Sequence, residues 1–168
     1  MAFVEIEQKY RLKDPKRVRG LLQKIGAKKV AGGFESNEFF DRDGDLRGKC
    51  LAMRLRKYGK GATLTLKGSR MKAEFTKRLE IETPVDYILM KKILCLAGFK
   101  VVMCYKKERE LYRLGRSHIT LDRLPRFGRF LEIEGQSQSI KKIEKKLGFT
   151  RTDREERSYL QMMFGWKL

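Results

Sequence analysis

The stretch VEIEQKYRL, residues 4–12, shows how this chain is built. Its side chains alternate, as they do in a β-strand whose two faces meet different surroundings. One row is mainly apolar and runs from Val4 to Leu12. The other row holds Glu5, Glu7, Lys9 and Arg11. Two carboxylates and an ammonium on one face of a strand point either to water or to a charged interior. The patterns of the other strands are needed to choose between these two cases.

The composition of the 168-residue chain indicates one folded domain. Hydrophobic residues make up 41%, enough for a core in a chain of this size. No run approaches the roughly 18 apolar residues of a membrane helix, and the N-terminus lacks the basic and apolar regions of a secretory signal. Cys50, Cys95 and Cys104 lack metal-like spacing, which indicates reduced thiols. We therefore expect a single cytoplasmic domain over residues 1–168, not bound to a membrane.

The net charge of +19 points to anionic partners. A charge of this size attracts polyanions and raises the rate at which they associate. Nucleic acid is the first candidate, and nucleotides or polyphosphates are the second. Because the basic residues are spread along the whole chain, composition alone does not choose between them.

Three segments predict amphipathic helices that end at a glycine. They are LLQKIG, ILCLAG and IEKKLG, which end at Gly26, Gly98 and Gly148. Asp14-Pro15 should begin the first helix, and Thr83-Pro84 with the nearby Asp86 should begin the second. We also expect a short helix from about Ser158 to Phe164 and a mobile loop over residues 41–49.

Eight strand patterns lie between these helices. They cover residues near 3–12, 30–41, 51–57, 62–67, 75–82, 100–114, 118–123 and 129–135. Most of them are joined by short turns, and no linker divides the chain. Eight strands joined in this way predict an antiparallel barrel or a strongly curved sheet.

Seven of these strands share the alternation of the first stretch, with one apolar row and one row of ionisable residues. The acids of the polar rows are Glu5, Glu7, Glu80, Glu82, Asp122, Glu132 and Glu134. The bases are Lys9, Arg54, Arg56, Lys67, Arg78, Lys107 and Arg109. His118 shares the parity of Asp122, so it should point to the same side near one end of the barrel.

Two arrangements fit these rows. In one, the apolar rows fill the barrel and the charges face water. In the other, the barrel is inside out, with apolar rows beneath the helices and charges lining a tunnel. The helices favour the tunnel, because their apolar faces have to be buried against an apolar surface. Three Glu-x-Glu pairs are also more than a solvated strand face usually carries, although the filled barrel stays open on these grounds.

A tunnel lined in this way would have the chemistry of a triphosphate site. Clustered carboxylates need a cation, and oxygen ligands at this density suit Mg²⁺ or Mn²⁺. Arginine and lysine suit phosphate oxygens. Phosphoryl transfer depends on positioning and charge neutralisation more than on a protein nucleophile. This agrees with a sequence that has one histidine and no plausible Ser/His or Cys/His dyad.

The ordered array resembles the CYTH superfamily, the triphosphate tunnel metalloenzymes. The hallmark of that superfamily is Glu-x-Glu-x-Lys near the N-terminus, matched here by Glu5, Glu7 and Lys9. Further matches follow in order: FFD ending at Asp41, MRLR with Arg54 and Arg56, LTLK with Lys67, RLEIE with Arg78, Glu80 and Glu82, KERELY with Lys107, Arg109 and Tyr112, ITLDRL with Asp122, GRFLEIE with Glu132 and Glu134, and Ser158-Tyr159-Leu160. The resemblance covers nearly the whole chain. It implies an α+β fold, an eight-stranded antiparallel barrel whose charged interior forms a tunnel, with helices packed on the outside.

The resemblance also implies roles for both polar rows. The implied ligands of Mg²⁺ or Mn²⁺ are Glu5, Glu7, Glu80, Glu82, Asp122, Glu132 and Glu134. The implied substrate contacts are Lys9, Arg54, Arg56, Lys67, Arg78, Lys107 and Arg109, with Lys9, Arg56 and Lys107 as the candidates for a catalytic role. Arg78 could instead only balance Glu80. The implied partner is a small triphosphate: ATP, tripolyphosphate or thiamine triphosphate.

Two reactions fit the same parts. The absence of an appended helical region resembles class IV adenylate cyclases most, so conversion of ATP to cyclic AMP and pyrophosphate is expected first. Inorganic tripolyphosphatase or thiamine triphosphatase is the alternative. A non-catalytic binder of polyphosphate or RNA is a third interpretation, because the seven acids and seven bases cancel and the net charge of +19 lies outside the tunnel. Nonspecific affinity for nucleic acid and a homodimer both stay open.

Overall fold

The computed structural model describes residues 2–166, with side chains described from residue 4 onward. The elements in chain order are β1 (Ala2–Leu12), α1 (Pro15–Lys24), β2 (Lys28–Asp41), α2 (Asp45–Gly48), β3 (Ala52–Tyr58), β4 (Gly61–Lys67), β5 (Thr76–Pro84), α3 (Tyr87–Leu96), β6 (Lys100–Leu114), β7 (Ser117–Leu124), β8 (Gly128–Glu134), α4 (Ser137–Leu147), a 3₁₀ turn (Arg151–Asp153) and α5 (Tyr159–Phe164). The prediction of one domain over residues 1–168 includes Met1, Lys167 and Leu168, which lie outside the described residues.

The strands of the described chain form a closed antiparallel barrel in the order β1-β5-β4-β3-β2-β6-β7-β8. β1 closes it, because its first half pairs with β5 and its second half pairs with β8. Closure pairs both edges of the sheet and leaves none as a template for another chain. The predicted α+β fold, an eight-stranded antiparallel barrel with helices outside, is confirmed.

The main apolar core lies outside the barrel, beneath α1 and α4. Asp14 caps α1 by accepting a hydrogen bond from the backbone N–H of Arg17 at 3.0 Å, and Pro15 occupies the first helical position. Val18 and Leu22 of α1 face the barrel wall. They join a buried cluster with Ile140, Ile143 and Leu147 of α4 and with Tyr10, Ile119, Leu131 and Ile133 of the strands. The apolar rows therefore point outward, and the barrel is inside out.

A second apolar cluster lies beneath α3. Leu94 packs with Phe40, Met53 and Leu55, and Leu64 and Leu66 of β4 are partly buried beside them. The helices do not cover every outward row. Val4, Leu79 and Ile81, on β1 and β5, remain 42–46% exposed. No helix among residues 2–166 is long and apolar enough to cross a membrane.

Two local predictions were wrong. Thr83 and Pro84 belong to β5, where they pair with β4, and α3 begins only after Asp86, whose carboxylate accepts from the N–H of Leu89 at 2.8 Å. Residues 41–49 are not a featureless loop, because they contain α2. The Asp41 carboxylate accepts backbone N–H groups at the start of α2 and so holds this helix at the end of β2.

Candidate active site

The barrel encloses a cavity of about 580 Å³, and half of the residues that line it are charged. Thirteen of the fourteen ionisable residues in the predicted polar rows line it. The fourteenth, Asp122, is 2% exposed and accepts hydrogen bonds from Lys107 and Arg109 of the wall. Strand alternation therefore placed all of these residues on the correct face, while the roles assigned to them stay predictions.

Acids and bases alternate on the side of the cavity formed by β1, β4 and β5. The Lys67 Nζ lies 2.9 Å from Glu5 Oε1 and 2.6 Å from Glu80 Oε2. Arg78 donates to Glu5 at 2.8 Å and to Glu7 at 2.9 Å. Burial alone would raise the pKa of Glu5, but Lys67 and Arg78 hold it well below its usual value. Arg78 thus binds the two glutamates of the first strand, and its hydrogen bonds do not go to Glu80.

The opposite side, formed by β1 and β6–β8, is paired just as densely. The Arg109 guanidinium donates to Asp122 at 2.7 Å and to Glu132 at 2.8 Å. Lys9 Nζ lies 3.0 Å from Glu132 Oε1. Lys107 Nζ lies 2.9 Å from Asp122 Oδ2 and is almost fully buried. Without a ligand, the cavity therefore satisfies most of its own charges.

Glu35 is an interior acid that sequence reasoning missed. It lies on β2, is 1% exposed, and sits 3.4 Å from both Lys107 and Arg109. The sequence feature that could have identified Glu35 is its alternation with Asn37 and Phe39 in the stretch FESNEFF. Asn37 donates to Glu35 at 3.0 Å, so the acid is held between an amide and two bases. Tyr58, Thr63, Tyr105, Thr120 and Tyr159 also line the cavity and were not predicted as site residues.

Two interior groups stand out, although one oxygen each of Glu35 and Glu80 also lacks a hydrogen-bond partner. The buried Nε of Arg54 has no hydrogen-bond partner, and the nearest acid to this side chain is Glu82, 3.9 Å from its Nη2. Glu134 is the one carboxylate of the predicted polar rows with no cation within 4 Å among the described residues. Burial, followed by the nearby charges of Glu5 and Glu7, raises the pKa of Glu134 to about 7. The cavity thus presents one guanidinium ready for an anion and one carboxylate ready for a cation.

The comparison with known proteins agrees with this geometry. The CYTH domain matches residues 4–159 of the chain. The protein belongs to the CYTH family. A protein of Methanocaldococcus jannaschii, named a "putative adenylate cyclase", is 30% identical over 146 residues, which are 86% of this chain and 83% of that protein.

Solved structures extend the likeness of this CYTH chain to its whole fold. A "putative adenylate cyclase" from Vibrio parahaemolyticus superposes with a TM-score of 0.83 at 24% identity, covering 94% of this chain and 96% of the other. A Hippeastrum protein, for which a dominant triphosphatase activity is described, superposes with a TM-score of 0.75 at 20% identity, covering 98% and 97%. At these identities the two structures support the fold alone.

The donor set of this CYTH barrel fits a hard divalent cation. No three His, Cys, Asp or Glu side chains in the described part of the chain are already grouped as a metal site. However, Glu5, Glu7 and Glu134 are close enough for the first two to raise the pKa of the third, so negative charge is in excess there. Carboxylate oxygens are the ligands that Mg²⁺ and Mn²⁺ prefer. These three glutamates would hold such an ion once Arg78 no longer occupies Glu5 and Glu7 and Lys67 no longer occupies Glu5.

α5 lies across one end of the CYTH cavity. The Tyr159 hydroxyl donates to Asp122 at 2.8 Å, and the ammonium groups of Lys9 and Lys107 lie 4.2 and 4.6 Å from the centre of its ring. Leu160 packs beside it with Phe39, Ala52 and Trp166. The other end is lined by exposed residues of the rim, including His118, which lies on the predicted side. Tyr159 and Leu160 therefore line the end of the predicted tunnel that lies opposite this rim.

Proposed function

We propose that this protein is a divalent-metal-dependent enzyme that breaks a phosphorus–oxygen bond of a triphosphate held inside the barrel. The unpartnered Nε of Arg54 carries the proposal, because a buried donor without an acceptor is costly. A phosphate oxygen would satisfy it, and arginine binds phosphate through several N–H groups at once. Arg56 and Arg109 line the same cavity and would extend this contact along a chain of phosphates.

The ion pairs of the empty cavity explain why metal and triphosphate would act together. Most of the interior bases are held by carboxylates, as Arg78 is by Glu5 and Glu7. When a triphosphate binds one of these bases, the carboxylates that held the base lose their partner. A divalent cation would then neutralise their negative charge. A buried charge deprived of its partner is strongly unfavourable. We therefore infer that each ligand binds more tightly when the other is present, by the same factor in both directions.

The end of the cavity beside α5 suggests how the substrate lies. The most anionic end of a triphosphate would enter first and reach Lys9 and Lys107, beside Tyr159. Arg56 would then contact the phosphate nearest the opening, because its Nε donates to Thr63 at 3.2 Å and Thr63 follows the exposed β3–β4 turn. When bound, the metal ion would neutralise charge on the phosphate oxygens. Lys9, Arg56 and Lys107 would stabilise charge that develops during the reaction.

We place adenylate cyclase chemistry first. In this reaction the ribose 3′-hydroxyl of ATP attacks the α-phosphorus, and pyrophosphate is the leaving group at the end beside Tyr159. The name of the Methanocaldococcus jannaschii relative supports this choice at 30% identity. Hydrolysis of tripolyphosphate or thiamine triphosphate is the second candidate, with water attacking the terminal phosphorus. The triphosphatase activity described for the Hippeastrum protein, which has the same fold, supports hydrolysis as this second candidate.

Product analysis tests the proposal. ATP, tripolyphosphate and thiamine triphosphate are each incubated with the protein and Mg²⁺ or Mn²⁺. Cyclic AMP with pyrophosphate supports the cyclase, and inorganic phosphate supports the hydrolase. Arg54→Ala should lower either activity, whereas Lys106→Ala, at an exposed position of β6, should not. Tight binding of a triphosphate without turnover under any of these conditions would instead support the non-catalytic binder.

A further inference from the structure

α1 and α4 lie side by side on the barrel and share an outer surface rich in cations. Their inner faces belong to one buried cluster, and the Arg17 guanidinium lies beside Gly148 at the end of α4. Nine exposed cations of this surface make no ion pair with a described residue: Lys13, Lys16, Arg17, Lys24, Lys28, Lys142, Lys145, Lys146 and Arg151. These nine residues are called the α1–α4 basic face. They lie outside the cavity and take no part in the proposed reaction.

The cations of this face are not compensated by the helices that carry them. α1 has no acidic residue, and the single acid of α4, Glu144, is buried and accepts from Arg154 at 2.9 Å. Lys142 and Lys146 are four residues apart, a spacing at which like charges destabilise a helix. Exposed helices of ordinary domains instead mix both signs. A bound polyanion would relieve this repulsion.

The nearby acids are already occupied. Asp14 caps α1, and Asp153 accepts from the backbone N–H and the hydroxyl of Thr150. Glu74 is bound by Lys141 at 2.7 Å. A ligand would therefore meet the cations of the face, with few free carboxylates to repel it.

The chemistry of the face selects the kind of polyanion. None of the large apolar side chains exposed on the described chain belongs to α1 or α4. The face thus has nothing to insert into a lipid layer, as amphipathic membrane-binding helices do. α1 and α4 also carry no aromatic residue on which unpaired bases would stack, the usual device for single strands; the exposed Phe34 of β2 is a single ring beside Lys16 at the edge of the face. Over the two helices only contacts to phosphate remain, and these dominate sequence-independent binding of duplexes.

We propose that the α1–α4 basic face binds the phosphate backbone of double-stranded nucleic acid without sequence preference. Each helix spans about 15 Å, and B-form DNA carries one phosphate charge per roughly 1.7 Å of its axis. The two helices together can therefore meet several phosphates of one duplex. The binding is independent of the triphosphate site and would bring the enzyme to a nucleic-acid surface.

Fluorescence anisotropy with a short labelled RNA duplex and the DNA duplex of the same sequence tests the proposal. The test variant changes Lys142, Lys145 and Lys146 to Gln together. The control variant changes Lys60, Lys92 and Lys106 to Gln, three exposed lysines that lie on other surfaces. Both variants lower the net charge by the same amount. Affinity is measured between about 50 and 200 mM salt, where phosphate contacts show their dependence most clearly.

We expect the parent to bind both duplexes and the test variant to bind them more weakly. For the test variant, the slope of log affinity against log salt concentration should be smaller in magnitude by about 0.9 for each phosphate contact removed. The control variant should keep an affinity and a slope close to those of the parent. Equal losses in the two variants would overturn the proposal, because binding would then follow overall charge. Absence of duplex binding, or stronger binding to anionic lipid vesicles with the same dependence on the three lysines, would also overturn it.

Discussion

Glu7 on β1 lies directly opposite Glu134 on β8 in the antiparallel ladder that closes the barrel. Like charges in this position destabilise a sheet. Arg78 contacts Glu7, while Glu134 has no cation within 4 Å among the described residues. Burial, Glu5 and Glu7 together raise the pKa of Glu134. The seam of the barrel therefore contains a local excess of negative charge, and this is where we expect a metal ion to act.

Replacing Glu134 tests this expectation. Mg²⁺ or Mn²⁺ should raise the melting temperature of the parent, because a ligand that binds only the folded state stabilises it, and EDTA should reverse the effect. Glu134→Gln should be at least as stable as the parent in EDTA, since it removes a repelled carboxylate, yet lose most of the metal-dependent increase. Glu108→Gln, which removes an acid bound to Arg123 on the surface, is the control. An unchanged metal response in Glu134→Gln would exclude this residue as a ligand.

Arg54→Ala should weaken triphosphate binding while leaving the barrel folded. The Nε of Arg54 has no acceptor, and Glu82 keeps its hydrogen bonds to Arg56 and Thr65 when Arg54 is removed. Loss of one charge-assisted contact should cost about 1.5–3 kcal/mol of binding free energy. Calorimetric titration with tripolyphosphate and Mg²⁺ measures it. The assignment of Arg54 is wrong if parent and variant bind equally tightly.

Arg56 separates the two proposed reactions. If Arg56 contacts the phosphate nearest the opening, Arg56→Gln should reduce formation of cyclic AMP from ATP more than release of terminal phosphate from thiamine triphosphate. The reason is that only the first reaction places the attacked phosphorus at that end of the pocket. Steady-state rates with both substrates give the ratio. A variant that loses both activities equally would show that our assignment of substrate direction is wrong.

The Arg19–Glu110 pair should contribute to stability only above acidic pH. Arg19 donates to Glu110 at 2.6 Å and joins α1 to β6, and this hydrogen bond is the main reason that the pKa of Glu110 is lowered to about 2. A carboxyl group with a lowered folded pKa stabilises the native state above its unfolded pKa of about 4.3, and that contribution is lost as the pH falls toward 2. Both side chains are partly exposed, so the contribution should be under about 1 kcal/mol.

Urea unfolding between pH 5 and pH 2 checks this contribution. Glu110→Gln should be less stable than the parent at pH 5, and the difference should shrink as the solution is acidified. A constant difference across this range would mean that the pair does not couple titration to folding. Tyr112 also donates to Glu110, at 2.7 Å, so Tyr112→Phe should reduce the same effect in part.

The inward rows could be predicted because strand alternation is a local property. Once Lys67 points inward, Leu66 has to point outward, whatever the rest of the chain does. The same rule places Glu35 inside, but β2 contains Gly32 and Gly33 shortly before it and shows no clean apolar row near them. Its glutamate therefore did not stand out as a member of the polar rows.

The ion pairs could not be predicted, because they depend on barrel register and closure. Arg78 of β5 lies directly opposite Glu5 of β1 in the ladder, although the two residues are far apart in the chain. Tyr159 reaches Asp122 only because α5 lies across one end of the barrel. Side-chain parity carries no information on either relation, so the sequence indicated which charges share the interior but not which of them are partners.

The position of α5 across one end of the barrel has a kinetic consequence. If Tyr159 stays bound to Asp122 during turnover, a molecule at that end can depart only after the space in front of it is vacated. Products would therefore be released in a fixed order, the outer one first. For cyclisation of ATP, cyclic AMP would leave before pyrophosphate. Pyrophosphate would then be a competitive inhibitor against ATP, and cyclic AMP would inhibit noncompetitively, a pattern that a barrel open at both ends would not impose.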